Sequence, residues 1–471
     1  MLDTTMRKTK WANLLYIILG AIILVIGALL NPVNHYWGGS VVSLAAIVLY
    51  FYIVLFVAEK NWLDIRAVFA GVWLFTIGLS SLRLLDYQEP WQIATWLYNG
   101  LAYIMFQIGI LVGLKLWIQI YEKLQKIKLK HMHVEMRQQR LWGTCVVVTL
   151  IGLVCFVINV YIRGYIPFFS SDTSAYVTFH TIFNLFSIAS TMISGLCYYC
   201  IVTQKIAMWK KVILVLCIVF ETFLYPTLIV SRGIFLASAL SLITAVFYLH
   251  KRKLWVLLTS LVVIFGIYLV LSSARGYTDE QLNMFFEPSK IEIAPEEDDN
   301  IVNENQKVFV LPAKVAFIYT YLTVSHDNFN EAVQNAEEYT YGLRQLAPLN
   351  IKPFNLIFDF SAVEEATGGE YYLVRPHLNT INFIGNFYYD LRGVGIAFFM
   401  LLWGCVFGMI QMCYQTKKGP FALVGLGNTM TAVALSFFSP WTNLLQFWVL
   451  WGTGWILWAM VCIHFYKKKV K

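Results

Sequence analysis

The sequence predicts an all-α polytopic membrane protein with about twelve transmembrane helices and one large, largely helical loop between the ninth and tenth. Three observations predict it. The 471 residues are 59% hydrophobic and 13% charged, with a mean hydropathy of +0.63. That is more apolar surface than a soluble chain can hide. The apolar residues fall into windows of about 20, the length that crosses a hydrocarbon core. Among them lies one long stretch that water would accept, from Ser272 to about Asp390.

The windows run 11–30, 40–58, 66–82, 94–117, 141–162, 179–202, 211–230, 233–250, 254–272, 393–414, 421–438 and 441–464. An even number puts both termini on one side. The start to Lys10 is basic, but Trp11–Leu30 is long enough to span and runs into Asn31-Pro32, so no cleavable leader is expected. Sixteen Trp and 27 Tyr suit the interfacial belts.

Basic residues fix the orientation. One set of ends carries Arg7, Lys8 and Lys10, Lys60 and Arg66, and the run from Lys123 to Arg140. The same side holds Lys205, Lys210 and Lys211, then 251–253, Lys417, Lys418 and the Lys-rich C-terminus. The opposite short loops hold only Arg83, Arg163 and Arg232. By the positive-inside rule both termini are cytoplasmic. The chain then divides into a first membrane domain, residues 1–272, an extracytoplasmic loop, residues 273–392, and a second membrane domain, residues 393–471. The net charge of +8 suits anionic lipid or an anionic substrate, and nothing points to a nucleic-acid partner.

Single features are weighed against plainer readings. Cys197-Tyr198-Tyr199-Cys200 has redox spacing but lies within a span, where both thiols read as small apolar helix residues. The basic loop 119–140 carries His131 and His133, two apart and so on different helix faces. The run Val212–Tyr248 breaks at Ser231-Arg232-Gly233, which makes spans seven and eight a hairpin with Arg232 at its tip. Glu221, about midway along span seven, is a costly residue to hold in a membrane and faces a cavity or a partner.

Within the insert, 272–306 is polar, carries Glu296-Glu297-Asp298-Asp299 and reads as a lid. From Pro312 to about Ala336 the pattern is helical, with Val315, Ile318, Tyr319, Leu322 and Phe329 on one face. Residues 312–345 are therefore expected to lie over the membrane surface. The outer side leans to arginine: Arg83, Arg163, Arg232, Arg275, Arg344, Arg375 and Arg392. A guanidinium grips phosphate in a bidentate way that lysine cannot, although snorkelling or carboxylate pairing also places Arg at an interface.

An enzyme on that face has no ATP and needs a preactivated substrate, for which lipid-linked diphosphates are the usual donors. Arg232, Arg275, Arg344 and Arg375 are candidates to hold the diphosphate leaving group, and His377 or Asp390 to take the acceptor's proton. Arg163, Asn379 and Tyr341 join them as candidate diphosphate or sugar ligands. No acidic pair with metal spacing is visible outside, so no metal or other cofactor is expected.

The Ser231-Arg232-Gly233 tip, the segment Tyr339-Thr340-Tyr341-Gly342-Leu343-Arg344 and the re-entry Asn379–Gly395 together resemble bacterial oligosaccharide repeat unit polymerases of the Wzy type. These motifs cover about 231–233 and 338–395. The resemblance implies a GT-C-like fold and a catalytic role for Arg232 beside His377 and Asp390. It implies transfer of a growing glycan from undecaprenyl diphosphate to a new lipid-linked repeat at the outer face of the cytoplasmic membrane. It implies flippase and chain-length regulator partners too. The related O-antigen ligases show a His-Asn or His-Ser pair with a Gly about eleven residues on. Here Leu378 follows His377 and position 388 is Tyr, which departs from that pattern.

Two other functions compete. A ligase would move finished glycan to a new acceptor. A transporter would fit twelve spans, but no internal repeat is evident, broken helices are few and the one large outer insert is asymmetric, whereas transporters tend to show paired halves. The site is expected beneath the insert, between the Arg375–Asp390 end and the Arg232 tip, where a lipid carrier would enter sideways.

Overall fold

The computed structural model describes residues 10–126, 138–170, 181–250, 253–273, 312–350, 357–368, 372–375 and 378–462. Arg275, His377 and the expected lid lie outside them. All regular elements among the described residues are helices: α1 Lys10–Leu30, α2 His35–Tyr52, α3 Ile65–Ser81, α4 Ile93–Lys126, α5 Gln138–Arg163, α6 Ile182–Ser190, α7 Ile193–Thr203, α8 Met208–Val219, α9 Arg232–Leu249, α10 Leu254–Ser273, α11 Ala313–Asn335, α12 Ser361–Gly368, α13 Gly385–Lys417, α14 Pro420–Ala434 and α15 Leu445–Cys462. Among the described residues eight helical stretches are long and apolar enough to cross a membrane. The protein is therefore a multi-pass α-helical membrane protein.

Every apolar window meets a helix, because a backbone in lipid must bond to itself. Polar residues cap several starts: Asn34 accepts from the Trp37 amide and Ser231 from the Ile234 amide. On α5 the side chains of Val147, Leu150, Ile151, Val154 and Val157 are exposed at helical spacing, as expected of a lipid-facing stripe.

The centre of the bundle is the crossing of α4 and α13. Gly109 and Gly113 on α4 meet Gly404 and Gly408 on α13. A methyl group on any of them would overlap backbone atoms of the opposite helix. Two small-xxx-small pairs thus let the two backbones touch, a strong packing mode in lipid. The principal apolar core continues from this crossing through α1–α3 and into α9 and α14. A second apolar core joins α5, α7, α8, α14 and α15, and contains Cys145, Cys197, Cys200 and Cys217.

The helices break more often than the sequence suggests. Window six is two helices, α6 and α7, parted at Thr191–Met192. Ser190, Thr191 and Ser194 each bond back to a carbonyl three residues earlier, which competes with the helix ladder. Window seven widens into a π turn at Phe220–Leu224 ahead of Pro226, whose ring disallows the ordinary bond. Helix α13 starts at Gly385 and kinks at Leu391–Arg392, where Arg392 takes a φ of 51°.

Candidate functional site

Helix α11 is buried along its middle. Thr323 to Asn330 are all buried. The polar stripe Thr323, His326, Asp327 and Asn330 is buried, and so are Tyr319 and Phe329 of the apolar stripe, whereas Val315 near the helix start is exposed. Both faces of α11 therefore meet protein: the surrounding elements supply polar partners to one stripe, while Tyr319 and Phe329 of the other pack into apolar clusters.

Those partners come from α3, the loop 82–92 and the start of α4. Asp327 accepts from Ser80 Oγ at 2.5 Å, from Gln88 Nε2 at 2.8 Å and from Trp91 Nε1 at 3.4 Å. Among the described residues no Lys or Arg forms an ion pair with it. Burial pushes its carboxyl up to about 7, against the opposing effect of those donors. His326 Nε2 lies 3.0 Å from Thr76 Oγ1 and Nδ1 lies 3.1 Å from Asn382 Nδ2. Thr76 spends its own proton on the Val72 carbonyl, so the ring donates from Nε2 and accepts at Nδ1. Burial holds His326 down to about 3, hence neutral, with Trp73 and Trp91 packed around it. Asn330 accepts from Thr95 Oγ1 at 2.7 Å and from the Gln92 amide at 3.2 Å.

Asn328 clasps the segment expected to carry the site. Its amide donates to the Leu378 and Thr380 carbonyls, both at 2.6 Å, and its oxygen accepts from the Val374 amide at 2.9 Å. Ser325 adds bonds to Thr380 Oγ1 and the Phe438 carbonyl.

The structure brings two of the predicted arginines to this helix. Arg232 donates to the Tyr321 hydroxyl and stacks over that ring. Arg375 pairs with Asp86 and lies over Tyr87, and Tyr87 bonds Thr320 at 3.2 Å. The two arginines are therefore anchored around consecutive α11 residues, about two helical turns from Asp327.

The other candidates form a separate cluster at the α13 kink. Asp390 is fully buried and accepts from Thr340 Oγ1 at 2.5 Å, Gln345 Nε2 at 2.8 Å and the Arg344 amide at 3.2 Å. Arg344 is buried over the Tyr389 ring. Tyr341, at φ 50°, donates its amide to the Asp390 carbonyl and leaves its ring exposed. The 340–345 turn is thus docked on the 388–392 kink, and Asp390 serves that joint. Asn379 is exposed, and Arg163 ends α5 half-buried, apart from both clusters. Among the described residues no group of three or more His, Cys, Asp or Glu is placed to hold a metal ion.

Sequence reasoning singles out neither His326 nor Asp327. The signal is there: polar residues at 323, 326, 327 and 330 form a helical stripe, and Thr76, Ser80 and Thr95 interrupt apolar windows. No family model, curated protein or solved structure matches this chain.

Proposed function

We propose that the chain is a membrane-embedded glycosyltransferase that polymerises undecaprenyl-diphosphate-linked oligosaccharide repeats into a surface glycan. In this reading it has twelve spans, cytoplasmic termini, an outer loop 273–392 and a GT-C-like arrangement in the cytoplasmic membrane. The observation that carries it is the placing of Arg232 on Tyr321 of α11, and of Arg375 on the loop 82–92 that packs against the same helix, with a buried carboxyl, Asp327, whose ionisation is poised near neutrality. The arginines hold the diphosphate, and Asp327 accepts the acceptor's proton. Asp390, committed to three donors of the 340–345 turn, positions the loop. Gln88 and Trp91 cover Asp327, so the loop 82–92 must withdraw for substrate to reach it. Arg275 and His377, outside the described residues, stay candidates in the same reading.

The test is the glycan ladder of cells carrying Arg232→Ala, Arg375→Ala or Asp327→Asn. Single repeats are expected in place of long chains, with the protein still in the membrane. Full-length polymer in all three sinks the proposal. A ligase variant would instead leave polymer on its lipid carrier.

A transporter is the second reading, favoured by the breaks at Thr191–Met192 and Phe220–Leu224 beside Glu221. Glycosidic bond formation by the purified protein from lipid-linked repeats separates the two.

A further inference from the structure

The two broken membrane helices face one carboxyl group. Glu221 stands in the π turn and is fully buried. Its Oε2 lies 2.8 Å from Ser190 Oγ at the end of α6, and the neighbouring Thr222 donates to Ser194 at 2.8 Å across the same break. Ser187, one turn before Ser190, bonds the Gly152 carbonyl of α5. At 1.5 Å per residue, Gly152 lies about 16 Å along α5 from Arg163, near the middle of a span.

The serine has fewer protons than its neighbours can accept. Ser190 has one hydroxyl proton and two acceptors, the Ser187 carbonyl at 2.7 Å and Glu221 Oε2 at 2.8 Å. If the Ser187 carbonyl accepts it, Ser190 Oγ and Glu221 Oε2 face each other with no serine proton between them, and a proton on the carboxyl or a bound cation must bridge the two oxygens. Glu221 Oε1 and Thr149 Oγ1 of α5 are both buried with no hydrogen bond of good geometry, although the two side chains face each other. A side chain on Gly152 would collide with Ser190, so the glycine keeps the space open. Among the described residues no Lys or Arg forms an ion pair with Glu221.

We propose that Glu221, Thr149 and Ser190 form an intramembrane site for a monovalent cation, either a proton or Na⁺. One carboxylate with hydroxyl oxygens is a hard, singly charged donor set, which suits H⁺ or Na⁺ over a soft metal. Unwound helix breaks supply such sites in membrane proteins generally. A polar track leads from the site toward the Arg163 end of α5. Tyr225 donates to Asn184 at 3.5 Å, the Asn184 amide to Thr181 at 3.1 Å, and Thr181 to Asn159 at 2.5 Å. The titratable and charged groups around the carboxyl are Cys217 and Tyr225 on its own segment, Cys155 and Arg163 on α5, and Cys197 on α7. The site shares no residue with the α11 cluster.

Infrared difference spectroscopy on the reconstituted full-length protein tests it, with choline replacing Na⁺ to hold ionic strength. A protonated-carboxyl C=O band that is lost in Glu221→Gln is expected. Bleaching on adding Na⁺ at fixed pH identifies sodium, and bleaching only on raising pH identifies a proton. Glu221→Asp, which keeps the charge, is expected to retain the response with a shifted midpoint and guards against misfolding of the Gln variant. Absence of any Glu221-dependent band that responds to pH or Na⁺ overturns the proposal.

Discussion

Gln88 Nε2 and Asp327 Oδ2 are 2.8 Å apart, and that bond ties the loop between α3 and α4 to the middle of α11. The adjacent residue on the helix, His326, is locked between Thr76 and Asn382. Two adjacent ionisable groups are thus buried, one acid and one base.

Their effects on stability have opposite signs. Asp327 moves from its ordinary 3.8 up to about 7. Its contribution is fully present below pH 3.8 and is lost as pH rises through 7. His326 moves from 6.5 down to about 3. Its contribution is present above 6.5 and is lost as pH falls toward 3. Between about pH 4 and 6.5 the two slopes oppose each other. Asp327→Asn is expected to make the protein lose stability on acidification through that window, and His326→Gln to make it gain. Thermal unfolding in detergent at stepped pH checks both signs, and parallel profiles for the two variants would refute the assignment.

Arg375→Ala removes a partly exposed ion pair with Asp86, worth at most about 1 kcal/mol. The melting temperature is expected to stay within about 2 °C of wild type, while long glycan disappears. A large drop in stability would make the arginine structural.

Asn328→Ala deletes three bonds to the 374–380 segment. At about 1 kcal/mol each, backbone opening there should become more than about 10-fold more frequent. Hydrogen exchange of the Val374 and Leu378 amides reads it directly, with α4 as the unchanged reference.

Gly113→Leu or Gly408→Leu places a side chain inside the opposite helix. Overpacking of this kind costs about 1–3 kcal/mol or more. Loss of the monodisperse peak on size exclusion is expected, whereas Gly143→Leu, with open space around it, should leave the peak intact.

The proposed topology predicts that Tyr341→Cys reacts with an impermeant thiol reagent in intact cells and Lys205→Cys does not. Cys462 is replaced first in both variants; of the other cysteines, Cys145, Cys155, Cys197, Cys200 and Cys217 are buried and Cys405 and Cys413 partly so.

The helices were legible because lipid leaves an apolar window no other regular structure. Their interruptions were not, since Ser190, Thr191 and Ser194 break a helix only through side-chain bonds that spacing does not announce. The stripe Thr323, His326, Asp327 and Asn330 was readable, but its direction was not. Periodicity separates the two faces of a helix without saying that both meet partners, and the partners Thr76, Ser80 and Thr95 lie more than 200 residues earlier in the chain. Arg232 was legible as a hairpin tip, and its contact with Tyr321 depends on where α11 comes to rest. The glycine pairs at 109/113 and 404/408 were in plain view, and only the crossing shows that they meet.

The α4–α13 crossing also sets an order of assembly. The ribosome completes the Gly109–Gly113 groove roughly 300 residues before the Gly404–Gly408 ridge that fills it, about 15 to 60 s at ordinary elongation rates. For that interval the nascent bundle carries an open slot against lipid. Closure of the molecule waits for its last quarter, and chains truncated before α13 should be held by membrane chaperones or degraded.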